Sequence, residues 1–334
     1  MWRLLGDKIM KAKHSVQEHL LQLQTHLNTR ILGQENLILR LLIALLADGH
    51  LLVEGAPGLA KTRAVKELSL GVEGSFHRIQ FTPDLLPGDL TGTDVFHPED
   101  GSFVFQPGPI FHHLLLADEI NRAPAKVQSA LLEAMAERQV TIGGKTYPLP
   151  ELFLVMATQN PIEHEGTYPL PEAQLDRFLM YVTVDYPNVA VEQAILSLAR
   201  LEAQHVASSA PAIKPLTQAV LFEARQDVLR VFTSEALEQY LVQLVVATRN
   251  PSVLSQDLAR WLRLGASPRA TIALDRCAKA HAWLCGRDYV MPEDIHAMAY
   301  DVLRHRILLT FEAQAEGISP DDFIHELLQL VALP

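Results

Sequence analysis

The sequence predicts an α/β fold, a parallel sheet flanked by helices, followed by an all-helical region. Up to Pro187, short apolar runs alternate with helix-patterned segments, the signature of parallel strands buried on both faces. Beyond Pro187 the pattern turns helical throughout. A third observation is LVEGAPGLAKTRAV, residues 52–65, where an apolar strand runs through a glycine–proline turn into a helix. The chain has 334 residues, and at about 150 residues per domain two units are expected.

The elements follow in order. Residues 2 to about 28 read as an amphipathic helix with Leu20, Leu23 and Leu27 on one stripe, so residues 1–30 are expected to pack as a helix on the core. A buried helix and a strand then lead to Gly55. The segment Phe76–Phe111 is rich in Pro, Gly, Asp and Thr and carries a hairpin signal at PEDGSFVF; it reads as loop and hairpin set into the α/β alternation, the insert centring on 81–110. HHLLLADE is a second apolar strand, AKVQSALLEAMAER a helix, and VTIGGKTYPL a hairpin turning at Gly143–Gly144, near 139–149. LFLVMATQN is a third strand, PEAQLDRF a helix, and MYVTVDYP closes an α/β unit spanning 31–187. The region 188–334 is expected to be all-α. One of its helices starts at Pro292, with Glu293 and Asp294 in its first turn and Arg304, His305 and Arg306 near its C-terminal end, where cations fit.

Composition narrows the function. Hydrophobic residues make up 49% and charged residues 20%, ordinary for a globular protein with a real core. No apolar run approaches the roughly 20 residues of a membrane span, and the N-terminus carries charges where a signal peptide would be apolar; a cytoplasmic protein is expected. The net charge of −11 weighs against nucleic acid as main partner, because phosphate neutralisation needs a basic face. Cys277 and Cys285 have no partners at metal-ligand spacing, and the pair His112–His113 reads as packing or surface.

Chemistry gathers at the strand ends. In the first turn the backbone N–H groups from Ala56 to Thr62 can wrap a β-phosphate at a helix N-terminus. Lys61 would reach the β- and γ-phosphates, and the Thr62 hydroxyl would bind Mg²⁺. The pattern G-x-x-x-x-G-K-[ST] has glycine where this chain has Ala60; a helix-like backbone there would make alanine inexpensive. Gly55 and Gly58 are expected to supply close approach and backbone freedom. LLLADE ends a strand in Asp118 and Glu119, one carboxylate near Mg²⁺ and the next placed to polarise a water. VMATQN ends in Asn160, which could contact that water or the γ-phosphate, or simply start a turn before Pro161. Arg177 in LDRF and Arg269 in GASPRA stand at helix ends; their spacing leaves them between phosphate contacts and solvated charges.

Taken together, GAPGLAKT, LLLADEINRAP, VMATQNPIEHEGTYPLPEAQLDRF and GASPRA resemble the MoxR branch of the AAA+ ATPases, over nearly the whole chain from Ile31 onward. The resemblance implies an AAA+ P-loop NTPase core followed by a helical lid, binding ATP/ADP and Mg²⁺ at subunit boundaries of a homo-oligomer, commonly a hexamer. It implies nucleotide contacts from Gly55, Ala56, Pro57, Gly58, Leu59, Ala60, Lys61, Thr62 and Arg63, with Leu32, Gly33 and Gln34 on the adenine side. It implies Thr62 and Asp118 as metal-directing residues, Glu119 as catalytic base, Asn160 as the water-orienting sensor, Arg269 as the lid sensor and Arg177 as an arginine finger reaching the neighbouring subunit. Arg122 is a second intersubunit candidate. The two inserts would face a pore, and the function implied is chaperone-like remodelling of client proteins, often ones with a von Willebrand factor A domain. Two other readings belong to the same residues: a nucleic-acid-dependent AAA+ motor, and a nucleotide-gated assembly scaffold with little turnover.

Overall fold

The computed structural model describes all residues except 1, 100, 162–165, 204–213 and 334, and the side chains from residue 16 onward. The tip of the first hairpin and part of the stretch after Asn160 therefore lie outside the described residues. In the first half of the chain, α1 (Trp2–Arg30) and α2 (Glu35–Leu46) precede β1 (Leu51–Gly55), α3 (Lys61–Gly71), β2 (Phe76–Gln80) and the short α4 (Pro87–Thr91). A hairpin follows, β3 (Gly92–His97) with β4 (Ser102–Pro107), then β5 (Leu114–Asp118) and α5 (Ala125–Glu137). A second hairpin, β6 (Gln139–Ile142) with β7 (Lys145–Pro148), leads into β8 (Leu154–Gln159), α6 (Glu172–Leu175) and β9 (Met180–Val184). In the second half come α7 (Val189–Ala203), α8 (Gln218–Leu229), α9 (Glu235–Ala247) and α10 (Gln256–Trp261). After them stand β10 (Leu262–Leu264), α11 (Pro268–Leu284), α12 (Pro292–Leu303), β11 (Leu308–Leu309), α13 (Phe311–Ala315) and α14 (Pro320–Leu330).

The main sheet has five parallel strands in the order β2-β5-β8-β1-β9. Strands with no polar alternation are buried on both faces, as β5 shows: Leu114 and Leu116 join one apolar cluster, Leu115 and Ala117 the other. The first cluster continues without a break through α2 into the helical half, where Leu274, Trp283 and Val302 belong to it. The helical half therefore shares a core with the sheet. Ion pairs reinforce the junction: Arg40 meets Asp301 at 2.5 Å, and Arg306 meets Asp176 at 2.8 Å with both side chains largely buried. The stripe Leu20, Leu23, Leu27 of α1 is buried as its period requires.

Two expectations need correction. Phe76–Gln80 is a core strand, not part of the inserted loop. It lies at the sheet edge, and its mixed burial leaves His77, Arg78 and Gln80 at least partly accessible, so it lacks the apolar run that marks its neighbours. The helical half also contains a two-stranded antiparallel pair, β10 with β11; at three and two residues these strands are too short to leave a period. Two antiparallel hairpins, β3 with β4 and β6 with β7, stand outside the main sheet. They touch each other, Phe105 stacking on Tyr147 with centroids 4.0 Å apart.

His50 sits at the start of β1 inside this core. Its Nδ1 accepts the Val155 N–H at 3.1 Å and its Nε2 faces the Met135 carbonyl at 3.4 Å. Burial, helped by Arg138, holds its pKa down at about 4. His305, fully buried against the Phe178 carbonyl, is lowered as well, chiefly by burial. Both rings are neutral in the fold and free to protonate once unfolded, so the unfolded chain binds more protons below the ordinary histidine pKa. Stability should be complete above about pH 6.5 and fall as pH drops toward 4, His50 alone accounting for something on the order of 3 kcal/mol. Denaturant titrations at pH 7, 6 and 5 check this; equal stability at all three would refute it.

Candidate nucleotide site

The chain leaves β1 through a turn that only particular residues permit. A Cβ on Gly55 would lie 2.7 Å from the Val184 carbonyl oxygen of β9, and Gly58 has φ +86°; close approach and backbone freedom are needed where expected. Ala60 differs from expectation. Its φ of 58° and ψ of 15° put it in the left-handed region, so the alanine is not in a helix-like backbone. A residue with a Cβ costs roughly 1–2 kcal/mol there, and the strained turn brings the N-terminus of α3 to the mouth of the cleft. The Lys61 ammonium folds back on the Gly55 carbonyl. Burial lowers its pKa, while Asp118, Glu119 and Glu54 act in the opposite direction.

These residues line a cleft of about 380 Å³ at the carboxyl end of the sheet. Pro57–Arg63 form one side; Arg78, Asp118, Glu119, Thr158, Gln159 and Asn160 form the other. Gly55 and the buried Ala56 support the loop from behind. Asp118 ends β5, largely buried. Its Oδ1 accepts from Thr158 Oγ1 at 2.6 Å and its Oδ2 accepts from Arg78 at 2.7 and 3.0 Å. Glu119 turns sharply in a left-handed backbone, φ 58°, with its N–H donating to the same Thr158 hydroxyl at 3.0 Å. Its carboxylate accepts from Gln80 at 2.7 Å and pairs with Arg122 at 3.0 Å. Asn160 is buried at the end of β8. A hydroxyl on Thr62 and a carboxylate on Asp118, both hard oxygen donors in one cleft, suit Mg²⁺, which takes one or two carboxylates and completes its shell with phosphate and water oxygens. No cluster of three His, Cys, Asp or Glu able to hold a metal occurs among the described residues.

Arg78, Gln80 and Thr158 did not emerge from sequence reasoning. The register pairs Gln80 with Asp118, and that pairing across neighbouring strand ends was the available signal once β2 is known.

Leu32, Gly33 and Gln34 do not line the cleft. They form the turn between α1 and α2, where Gly33 (φ +75°) backs directly onto Val191 at the start of α7. At its far end α7 places Glu202 against Arg63, at 2.5 and 3.2 Å. This helix, exposed along its length, thus joins the turn to the phosphate loop.

Arg177 and Arg269 lie together elsewhere. Both line a second cleft of about 360 Å³ with Arg138, Arg276, Arg306, Asp48 and Asp176, and no residue of the phosphate loop borders it. Arg177 donates to the Leu132 carbonyl at 3.0 Å; Arg269, more than half exposed, pairs with Asp176 at 3.3 Å. Arg269 is therefore grouped with Arg177 and not with the phosphate loop of its own chain, whereas Arg122 contacts Glu119 within the chain.

Residues 50–180 match the model of the ATPase family associated with various cellular activities (AAA), and residues 257–327 match the AAA lid domain. The fold is accordingly an AAA+ α/β core with a helical lid. The chain is 49% identical to Chaperone MoxR1 of Mycobacterium tuberculosis over 91% of its own length and 79% of that protein's. It is 34% identical to Protein MoxR of Paracoccus denitrificans, covering 88% of this chain and 90% of that one. A crystal structure from Cytophaga hutchinsonii superposes with a TM-score of 0.91 at 44% identity, covering 99% of both chains. The chain belongs to the MoxR family of AAA+ ATPases.

The left-handed Ala60 makes a measurable prediction. Ala60→Gly removes the Cβ strain but adds roughly 0.5–1 kcal/mol of backbone entropy; the variant should keep nucleotide binding and be equal to or up to about 1 kcal/mol more stable than the parent. A loss of more than 1 kcal/mol in chemical denaturation would contradict the strain.

Proposed function

We propose that the chain is a Mg²⁺-dependent ATP hydrolase that acts as a homo-oligomeric ring, a hexamer, and uses the nucleotide cycle to remodel client proteins. One observation carries this reading: a cleft holding a lysine, a threonine and two adjacent carboxylates stands apart from a second cleft rich in arginine. In a ring the arginine cleft of one copy meets the phosphate cleft of the next.

The roles follow from position. The loop N–H groups and the positive end of α3 bind the phosphates of ATP or ADP, and Lys61 exchanges the Gly55 carbonyl for phosphate oxygen. Thr62 and Asp118 would hold Mg²⁺, which would supply charge neutralisation to the phosphates. Glu119 accepts the proton of the attacking water, and Asn160 orients that water. Arg177, with Arg269 beside it, reaches the γ-phosphate held by the neighbouring copy, where a guanidinium is worth about 10³–10⁵ in rate. Leu32, Gly33 and Gln34 flank the adenine, with α7 behind them.

The client side belongs to the hairpins. Phe96 and Phe103 are half or more exposed on the first, Val104 beside them, and the Phe105–Tyr147 stack couples it to the second. An exposed aromatic pair on a two-hairpin unit suits contact with apolar surface on a partially unfolded client; the name Chaperone MoxR1 of a relative agrees. The client class proposed is a separate protein bearing a von Willebrand factor A domain. Among the described residues no helix is long and apolar enough to cross a membrane.

Glu119→Gln should bind ATP as the parent does and lose turnover by about 10²–10⁴; undiminished hydrolysis would remove Glu119 from its role. Rings mixed from Arg177→Ala and Lys61→Ala subunits should regain activity at interfaces that pair an intact loop with an intact arginine. Verified mixed rings without any rescue would sink the action across the interface.

A further inference from the structure

The side chain most at odds with a magnesium site is Arg78. Its guanidinium donates twice to Oδ2 of Asp118, at 2.7 and 3.0 Å, and once to Oε1 of Gln80 at 2.9 Å. The other oxygen of Asp118 is engaged by Thr158 at 2.6 Å, deep in the sheet. Oδ2 is thus the oxygen that faces the cleft, and a cation is already seated on it. The mobility of the two partners is unequal. The Arg78 side chain is 48% exposed and Asp118 only 12%, so the arginine can withdraw into water while the carboxylate stays fixed.

We infer that Arg78 is an internal competitor of the divalent cation at Asp118 and so sets the affinity of the site for metal. This rests on the proposal that Asp118 directs Mg²⁺. Two effects act in the same direction. Metal binding must break a charge-assisted contact of good geometry, and a bound dication a few ångströms from a guanidinium is repelled by it. The surroundings do not cancel the effect: the other charged groups around the cleft are Lys61, Arg63 and Arg122 as cations and Glu119 and Glu54 as anions, with Glu119 already paired with Arg122 and Arg63 with Glu202. A second consequence is selectivity. Metal enters readily only with a polyphosphate whose negative charge receives the displaced guanidinium, so metal and nucleotide arrive together and metal alone binds poorly.

The test is a titration of the full-length protein with Mn²⁺, free metal being read by its electron paramagnetic resonance signal, with and without saturating ADP. Arg78→Gln and Arg78→Met both remove the charge, Arg78→Gln keeping a hydrogen-bond donor for Asp118 if the loss of the ion pair proves destabilising, and thermal melting verifies the fold of each. Each should bind Mn²⁺ roughly three- to tenfold more tightly than the parent, with the larger gain in the titration without ADP. Arg78→Lys, which keeps a cation, should gain less than either. Metal affinity equal to or weaker than the parent's in both charge-removing variants overturns the inference. Failure of the parent to bind ADP would sink the nucleotide reading instead, and the comparison without ADP decides about Arg78 regardless.

Discussion

Asp118 is the point on which the rest of the site depends. It is the last residue of a strand buried on both faces, so its backbone cannot shift without moving the sheet. A carboxylate so placed needs partners, because an unpaired buried charge costs several kcal/mol. Thr158 and Arg78 supply them from the strands on either side, β8 and β2. The Thr158 hydroxyl is shared: it donates to Asp118 and accepts from the Glu119 backbone. One hydroxyl thereby fixes two consecutive acidic residues in different directions, one inward along the sheet and one turned out by a left-handed backbone.

That geometry is strained, and the strain is concentrated. Ala60 and Glu119 are two of only four non-glycine residues with positive φ among the described residues, and both line the same cleft. Each such position costs on the order of 1–3 kcal/mol and persists only where surrounding structure over-determines it. Here Gly55 against Val184 and the apolar clusters on both sheet faces supply the constraint. The positive end of α3 and the Glu119 carboxylate are aimed at one volume by turns that unconstrained chain would avoid.

Much of this was legible in the sequence because the informative residues are contiguous. LVEGAPGLAKT and LLLADE each carry an apolar strand end and its chemistry in one short contiguous stretch, so one-dimensional reading suffices. What escaped depends on pairing across strands or on tertiary contacts. β2 hid because an edge strand alternates its exposure, and with it went Arg78 and Gln80, whose importance comes only from lying beside Asp118. Ala60 misled because helix propensity speaks about the right-handed region, and the turn into α3 places this residue in the left-handed one. The grouping of Arg269 with Arg177 could not be read at all: 92 positions separate them, and Asp176 joins them only after the lid folds back on the core.

The same packing limits how the molecule can transmit what happens at the cleft. The lid helices α11 and α12 share an unbroken apolar cluster with α2 and the sheet; buried ion pairs of Arg40 and Arg306 pin them, and Arg304 donates to the Tyr181 carbonyl of β9 at 2.9 Å. Separating those surfaces would expose large apolar area and orphan charges, so rigid opening there is costly. Thinly packed elements open at far lower cost. α7 buries no side chain, and two contacts tie its ends to the nucleotide region, Val191 on Gly33 and Glu202 on Arg63. The hairpins project with exposed aromatics and few buried residues. A stiff body bearing a soft helix beside the cleft and soft hairpins at its surface confines large displacement to those elements.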